Sequence, residues 1–371
     1  MRPTLRAAPR ESDGRCPQVT RSRRRELAPS EHPTVMTSPG MPKVLTVREF
    51  GSDALRGLQR RGELDRIRRG AYRRPLVADS PWDRASEELL ARCVAVADRL
   101  TTRFAFSHET AALLHRWPVT VRPGVVDVVQ TVLPTRCGRT DIRRHVRSGL
   151  TDADIVEVAG LPVTTPARTA IDCARVLSPQ EGLIVADGAL RQLAAVEVFA
   201  RSTSESRQEA VRAELVALLS ALGPGRHVVR ARAVLTFADG FSASPGETRT
   251  RWLGLVAGLP APICQWEVAA DGRRYFSDIA WPATGPDWPA RAITFEYDGA
   301  VKYDGNGAVA AVVADEKVRQ DAIESTGVAV HRVTRGRLAD PELATSWLLS
   351  KFPDSVRARL TPRRALAMPP D

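Results

Sequence analysis

Hydrophobic and polar positions change their spacing several times along this chain, and each change predicts a different kind of element. From Val44 to Leu58 the apolar residues are spaced as in two short amphipathic helices, and a turn centred on Gly70 follows. Residues 201–222 keep helical spacing until a Gly-Pro-Gly sequence ends it. Strand-length runs rich in β-branched and aromatic residues dominate 263–297 instead. The pattern predicts an α/β protein whose overall organisation is of the α+β type.

The last third of the chain has the most regular succession of elements. The spacing predicts a helix at Glu247–Leu255, strands at Ile263–Val268, Arg274–Trp281 and Ala292–Tyr297, a long helix reaching about Ser325, a strand at Val328–Val333 and a helix at Pro341–Leu349. The core of this region therefore has the order αβββαβ.

A short basic segment follows the first pair of helices. Residues 66–74 hold five arginines and no acidic residue. Helices followed by a basic hairpin are typical of a winged helix, in which one helix enters a DNA groove and the wing contacts backbone phosphates. The candidate DNA-binding residues are Arg66, Arg68, Arg69, Arg73 and Arg74.

Length and composition predict several domains, because 371 residues exceed what one hydrophobic core usually organises. Residues 1–41 carry eight arginines against four acidic residues without apolar periodicity, which indicates a disordered basic tail. The predicted boundaries after that tail are a winged-helix domain at 42–80, a second α/β domain at 81–200, a helical connector at 201–240, a nuclease-like domain at 241–352 and a tail at 353–371.

Net charge favours a polyanionic partner. The chain carries +11 at pH 7, and arginine and lysine gain free energy by displacing counterions from phosphates. Solubility and an Arg-rich composition are the alternative explanation. The five cysteines form no CxxC pair, which argues against a zinc site or a disulfide framework. No apolar run approaches the length of a membrane span, so we expect a cytoplasmic protein without a membrane partner.

Acidic side chains interrupt the apolar runs of the last third. Asp278 and Glu296 each stand in a β-branched and aromatic strand, and the preceding helix offers Glu247. Strand alternation places Glu296 and Asp298 on one face. Burying a carboxylate is costly unless it is paired or metal-bound, and phosphodiester hydrolysis uses such carboxylates to hold divalent ions. Solvent-facing positions on half-exposed strands are the alternative.

Stretches of the N-terminal half resemble AbiEi-type antitoxins and regulators. GELDRIRRGAYRRP is similar to their winged-helix unit, SHETAALLHRWPV to the helix after the wing, and LPVTTPARTAIDCAR to a turn and helix of their second domain. The resemblance covers roughly 44–195. It implies DNA as a partner and adds a cognate toxin protein as a candidate partner.

The motifs FSDIAW, FEYDGAVKY and DEKVRQDAIESTGVAVHRVT resemble a Vsr-like endonuclease domain of the PD-(D/E)XK superfamily, over about 244–350. The resemblance implies a restriction-endonuclease-like fold and Mg²⁺ or Mn²⁺ as cofactor, with Glu247, Asp278 and Glu296 as metal ligands. It implies catalytic roles for Asp278, Glu296, Asp298 and Lys302. Asp298 occupies the usual position of the superfamily's lysine, and Lys302 stands where relatives often have histidine.

Three further charged residues lie on the predicted long helix. Lys317, Arg319 and Asp321 are candidates for supporting the active site. Alternatively, Lys317 and Asp321 are four residues apart and could form a surface ion pair.

Two functions remain in competition, and a third, a pure protein-interaction role, would require a protein with no measurable DNA affinity. The first is a DNA-binding protein with a metal-dependent endonuclease domain that hydrolyses DNA phosphodiesters. The second is a transcriptional regulator, similar to a type IV antitoxin, whose nuclease fold is inactive, and the Asp298 substitution favours it.

Polar residues of the middle region carry a structural interpretation. His108 and His115 are seven apart, and packing or capping is preferred over metal binding or catalysis. Thr165 and Asp172 are interpreted as helix-start residues.

Overall fold

The computed structural model describes residues 41–76, 80–131, 141–147, 150–299 and 308–368, without the side chains of 308–316. Most of the predicted tail at 1–41 and the predicted catalytic Lys302 lie outside these residues. Within them the chain is a mixed α/β protein with three sheets, which confirms the predicted fold class. No helix in the described ranges is both long and apolar enough to span a membrane.

The N-terminal unit consists of two short helices and a hairpin. Its elements are β1 (Leu45–Thr46), α1 (Val47–Phe50), α2 (Ser52–Arg60), β2 (Asp65–Arg68) and β3 (Ala71–Arg73). Strand β3 pairs antiparallel with both β1 and β2, and Gly70, with φ +83°, makes the turn before it. Leu55, Leu64 and Tyr72 form a small separate core. The predicted helix pair and basic hairpin are therefore present.

A five-stranded sheet organises the middle of the chain. The elements are α3 (Pro81–Ala97), β4 (Phe104–Phe106), α4 (His108–Leu114), β5 (Val126–Gln130), β6 (Ile142–Val146), β7 (Ile155–Val158), β8 (Leu161–Thr164), α5 (Pro166–Val176) and α6 (Pro179–Leu193). The strand order is β6-β5-β4-β8-β7, so that β6 is an edge strand, parallel to β5. The side chain of Thr165 caps α5 by accepting from the backbone N–H of Arg168, as predicted.

The helices α7 (Arg201–Ala221) and α8 (Val228–Phe237) occupy the predicted connector. Leu219 and Val234 are fully buried in the same core as the middle sheet, and α8 packs against α5 and α6. Because both helices bury apolar faces, this segment is a structural layer of the protein and more than a connector.

The C-terminal region follows the predicted αβββαβ order. Its elements are α9 (Pro245–Ala257), β9 (Ile263–Ala270), β10 (Arg273–Pro282), β11 (Ala292–Asp298), α10 (Ala308–Ser325), β12 (Val328–Thr334), α11 (Pro341–Leu349) and α12 (Asp354–Arg357). Strands β9, β10 and β11 are antiparallel, and β12 runs parallel to β11 in a sheet of order β12-β11-β10-β9. Trp281 of β10 and Phe295 of β11 pack edge to face.

The segment after residue 352, predicted as a tail, packs onto the C-terminal region. Leu366 is fully buried, and its carbonyl accepts a hydrogen bond of 2.9 Å from Nε1 of Trp252. Nη1 of Arg363 donates to the carbonyls of Leu255 and Leu259 at 2.7 Å each. These hydrogen bonds satisfy carbonyls at the end of α9 and fix the segment in place. The sequence of the segment is too rich in Pro and Arg to show apolar periodicity.

One continuous hydrophobic core joins the middle and C-terminal regions, from Leu89 to Leu366. At its centre the guanidinium of Arg251 on α9 binds both carboxylate oxygens of Asp187 on α6, at 2.6 and 2.7 Å. Both side chains are 2% exposed. The predicted boundaries near 200 and 240 therefore mark changes in the sequence pattern, but the regions on either side of them share one hydrophobic core.

Candidate active site

The first helix of the C-terminal region holds Glu247 at its N-terminal turn. Oγ of Ser244 accepts from the backbone N–H of Glu247 at 3.2 Å, and Oε2 of Glu247 accepts from the backbone N–H of Ala243 at 2.8 Å. The first bond satisfies a donor that the helix start would leave unpaired, and the second fixes the carboxylate beside the residue that precedes the N-cap. Only 6% of Glu247 is exposed, so this acid lies inside the protein.

A strained residue in β9 approaches the same carboxylate. Gln265 has φ +48°, a left-handed conformation that is rare for a non-glycine residue within a strand. Its buried amide Nε2 lies 3.4 Å from Oε2 of Glu247. Nη1 of Arg201 donates to the carbonyls of Cys264 and Gln265 at 3.0 and 3.1 Å, which stabilises the local distortion. Backbone strain of this kind is often found at functional sites.

Asp278 lies on β10 beside the end of β11. Its Oδ2 accepts from the backbone N–H of Tyr297 at 2.9 Å. The ring of Tyr297 packs so closely on Gly246 that a Cβ there would come within 2.2 Å of it. Gly246 thus lets β11 approach the start of α9 closely.

The pKa of Glu247 reflects an electrostatic interaction between the carboxylates of Glu247 and Asp278. Burial, followed by the negative charge of Asp278, raises the pKa of Glu247 to about 8. Two carboxylates in a buried environment disfavour double ionisation unless a cation lies between them. The two carboxylates are therefore close enough for the charge of Asp278 to affect the pKa of Glu247.

Glu296, the third predicted metal ligand, has a different partner. Arg319 on α10 binds it in a bidentate manner, with both N–O distances at 3.1 Å, and Nη2 of Arg319 also donates to the carbonyl of Phe276 at 2.7 Å. Strand alternation directs Phe295 to the core beside α9 and Glu296 to the opposite face, where α10 packs. Within the described ranges no group of three His, Cys, Asp or Glu residues could hold a metal ion.

The remaining predicted residues differ in burial and in contacts. Asp298 is half-buried at the last position of β11, opposite Thr334. Arg319 contacts Glu296, whereas Lys317 and Asp321 have exposed side chains. Arg319 is the supporting candidate with a direct contact to a predicted metal ligand.

The basic hairpin presents most of its predicted DNA-binding residues to solvent. Arg66, Arg69 and Arg74 are exposed, and Arg73 is half-buried. Arg68 is an exception and a correction, because it is buried at 7% exposure. The Nε of Arg68 lies 3.2 Å from Oδ2 of Asp141, and its Nη1 donates to the carbonyl of Ala95 at 3.3 Å. A register shift between Arg66 and Arg68 turns the second arginine inward, where it anchors the hairpin to α3.

Comparisons with known proteins give similarity without an assigned activity. No family model matches the sequence. Two uncharacterized proteins of Mycobacterium tuberculosis, MT2308 of strain CDC 1551 and Rv2248 of strain H37Rv, are each 33% identical to this chain over 139 residues. The match covers 37% of this chain, and the chain spans 45% of the length of these curated relatives. Among solved structures, the RV2827C protein of Mycobacterium tuberculosis has a TM-score of 0.31 and 15% identity, over 62% of this chain and 85% of that one.

Sequence reasoning missed the residues that support the carboxylates. Gln265 was a polar residue within an apolar strand, and that was the one visible indication. Arg201 belongs to a distant helix, and Tyr297 acts through its backbone N–H and its ring. Contacts of this kind depend on tertiary packing and leave no pattern in the sequence.

Proposed function

We propose that this chain is a DNA-binding protein whose C-terminal region carries a divalent-metal-dependent endonuclease site that hydrolyses DNA phosphodiesters. The observation that carries the proposal is the buried Glu247 of α9, whose pKa is raised by burial and by the nearby charge of Asp278 on β10, beside the strained Gln265. A buried acid such as Glu247, which accepts hydrogen bonds from neutral groups beside a second carboxylate, is costly to keep ionised without a cation to bind.

The donor set suits Mg²⁺ or Mn²⁺. Magnesium is commonly held by one or two carboxylates, with waters and substrate phosphate oxygens completing its coordination. Glu247 and Asp278 would supply the two carboxylates, whereas Glu296 remains bound to Arg319. When bound, such an ion polarises a phosphodiester and lowers the pKa of a water molecule. Asp298 and Lys302 keep their predicted auxiliary roles.

Neighbouring residues give this pair its fixed position. The backbone N–H groups of Ala243 and Tyr297 orient the two carboxylates. The Gln265 amide approaches Glu247 from β9, and Arg201 holds the backbone of that strand. Such preorganisation favours binding of a cation and a phosphate without rearrangement of the protein.

The basic hairpin would recruit the DNA. Arg66, Arg69 and Arg74 are exposed on a short hairpin of a chain with net charge +11. Arginines in this position can contact backbone phosphates of duplex DNA independently of sequence.

A second candidate is a DNA-binding regulator, similar to a type IV antitoxin with a cognate toxin as partner, whose nuclease fold is inactive. The specific observation in its favour is the bidentate pair between Arg319 and Glu296, which engages one predicted metal ligand. Asp298 in place of the superfamily's lysine points the same way.

Nicking of supercoiled plasmid separates the two candidates. With Mg²⁺ or Mn²⁺ we expect nicking by the unaltered chain, loss in Glu247→Gln and Asp278→Asn, and retention in Glu267→Gln. Glu267 is an exposed acid on the same sheet, paired with Arg274, and so provides a matched control. Plasmid binding without nicking at either metal would reject the endonuclease and favour the regulator.

A further inference from the structure

A second cleft lies in the middle region, where the end of β6, the last turn of α5 and the start of α8 meet. Its volume is about 530 Å³. Four arginines line it: Arg144 and Arg147 from β6 and the residue after it, Arg175 from α5, and Arg226 before α8. None of the residues of the carboxylate site lines it.

The acidic residue among the described lining residues, Asp172, is already neutralised. Its Oδ1 accepts from Arg147 and its Oδ2 from Arg168, both at 2.9 Å. Within the described part of the chain, Arg175 and Arg226 have no acidic side chain at ion-pair distance. The cleft therefore holds more cationic groups than its own carboxylate can compensate.

A stacked pair of histidines, the buried His108 and the half-buried His145, forms one wall. The rings of His108 and His145 stack with centroids 3.7 Å apart, and Nε2 of His145 lies 2.8 Å from Oδ1 of Asp127. His108 is 5% exposed, has a left-handed φ of +51°, and uses its Nδ1 in a contact with Oγ of Ser107 at 3.0 Å. This strained backbone directs a buried imidazole into a basic cleft, which packing or capping alone does not require.

The lowered pKa values of two histidines, His227 and His108, are consistent with a positive electrostatic potential in the cleft. The pKa of His227 is lowered chiefly by the charge of Arg230, although the ring is exposed. The pKa of His108 is lowered first by burial and then by His145 and nearby arginines. A bound anion would oppose the contribution of the neighbouring positive charges at both histidines.

We propose that this cleft binds the phosphoryl groups of a phosphate-bearing ligand, with Arg175 and Arg226 as the principal contacts. Guanidinium groups match phosphate oxygens in charge and in bidentate geometry. A cavity of this volume also has the size of ordinary small-ligand sites, which suits a nucleoside diphosphate. The same chemistry is present at the 5′-phosphate end of a DNA strand. The site goes beyond the proposed nuclease function and does not depend on it.

Isothermal titration calorimetry of the full chain tests the proposal, in a phosphate-free buffer of low ionic strength. The probes are pyrophosphate, ADP, adenosine, and a DNA oligonucleotide with either a 5′-phosphate or a 5′-hydroxyl. We expect pyrophosphate and ADP to bind and adenosine not to bind. Tighter binding of the 5′-phosphate oligonucleotide than of its 5′-hydroxyl form would identify a DNA end as the source, and equal binding would identify the free nucleotide.

Variants connect the binding to the cleft. The double variant Arg175→Gln/Arg226→Gln should weaken pyrophosphate binding about tenfold or more, because two charge-assisted contacts are lost. Arg175→Lys/Arg226→Lys keeps the charge and should lose less, and Arg359→Gln, an exposed arginine outside the cleft, should lose nothing. Asp278→Asn should bind pyrophosphate as the unaltered chain does, which separates this site from the nuclease proposal. Absence of binding by every phosphate-bearing probe, or equal binding by the folded double glutamine variant, would overturn the proposal.

Discussion

The carboxylate site of the C-terminal sheet and the arginine cleft of the middle region both hold buried acids, but these acids have different partners. Glu247 accepts its hydrogen bonds from neutral groups, the N–H of Ala243 and the amide of Gln265. In the cleft, Asp172 is held between the guanidinium groups of Arg147 and Arg168. The buried acid of the first site therefore accepts from neutral donors, whereas the buried acid of the second is compensated by two cations.

The type of hydrogen-bond partner distinguishes buried acids with a structural role from buried acids that are candidate metal ligands. Asp187 with Arg251, and Glu296 with Arg319, follow the pattern of Asp172, because each carboxylate has a guanidinium of its own. A buried acid with such a partner helps hold elements together and has little remaining affinity for a metal. Glu247 accepts its hydrogen bonds from neutral groups and lies close enough to Asp278 for that charge to raise its pKa, so we expect a divalent cation to bind here.

The largest expected effect comes from breaking a compensated pair. Arg251→Met leaves Asp187 buried without its cation, so the free energy of unfolding should fall by about 3–5 kcal/mol. Urea denaturation followed by circular dichroism measures the change. The double variant Arg251→Met/Asp187→Leu removes both charges and should recover much of the loss. A single variant as stable as the unaltered chain would show that the ion pair is not structural.

At Glu247 we expect a substitution to stabilise the chain, in contrast to the destabilisation expected at Arg251. Its pKa of about 8 in the folded chain lies above the ordinary value of 4.5, so folding favours the protonated acid. The stabilising contribution of this group is complete below pH about 4.5 and is lost as the pH rises through about 8. Glu247→Gln mimics the protonated acid and should stabilise the metal-free chain at pH 9 by on the order of a few kcal/mol, with almost no effect at pH 4.5.

Urea denaturation in EDTA at these two pH values provides the comparison for Glu247. The control is Glu267→Gln, which alters an exposed acid on the same sheet and should give no such stabilisation at high pH. An effect of Glu247→Gln that is equal at both pH values would contradict the raised pKa.

The hairpin arginines should divide into two classes. Replacing exposed Arg66, Arg69 and Arg74 by Gln should flatten the dependence of log K for duplex DNA on log salt by about one unit for each lost phosphate contact. Arg68→Gln should instead lower the melting temperature, because this buried side chain contacts Asp141 and Ala95. Fluorescence anisotropy across a salt series, paired with thermal melts, distinguishes the classes. An unchanged salt slope in the triple variant would remove the hairpin from the DNA interface.

The smallest effects are expected on the exposed side of α10. Lys317→Gln alters an exposed side chain and should change the free energy of unfolding by no more than about 0.5 kcal/mol. Arg319→Gln on the same helix releases Glu296 and should destabilise the chain clearly more. Equal urea midpoints for the two variants would contradict the structural role of the Arg319–Glu296 pair.

The sequence was informative wherever local periodicity decided the structure. The αβββαβ elements, the capping Thr165 and the basic hairpin all follow from local spacing. Arg68 was misplaced because a register shift reverses its direction, and Glu296 acquired a partner because strand alternation turns it towards α10. Neither event can be read from composition. The cleft was missed because its arginines come from three separate elements, and Asp172, interpreted as a helix-start residue, lies in the interior of α5.

Metal binding by the full chain tests the central claim most directly. Isothermal titration calorimetry with Mn²⁺ and with Mg²⁺, together with thermal melts, should show binding and a rise in melting temperature, since a ligand of the folded state alone stabilises it. Glu247→Gln and Asp278→Asn should each abolish the heat and the shift, while Glu267→Gln should retain both. No binding by the unaltered chain, or binding that survives both site variants, would contradict the claim that Glu247 and Asp278 form a divalent-cation site.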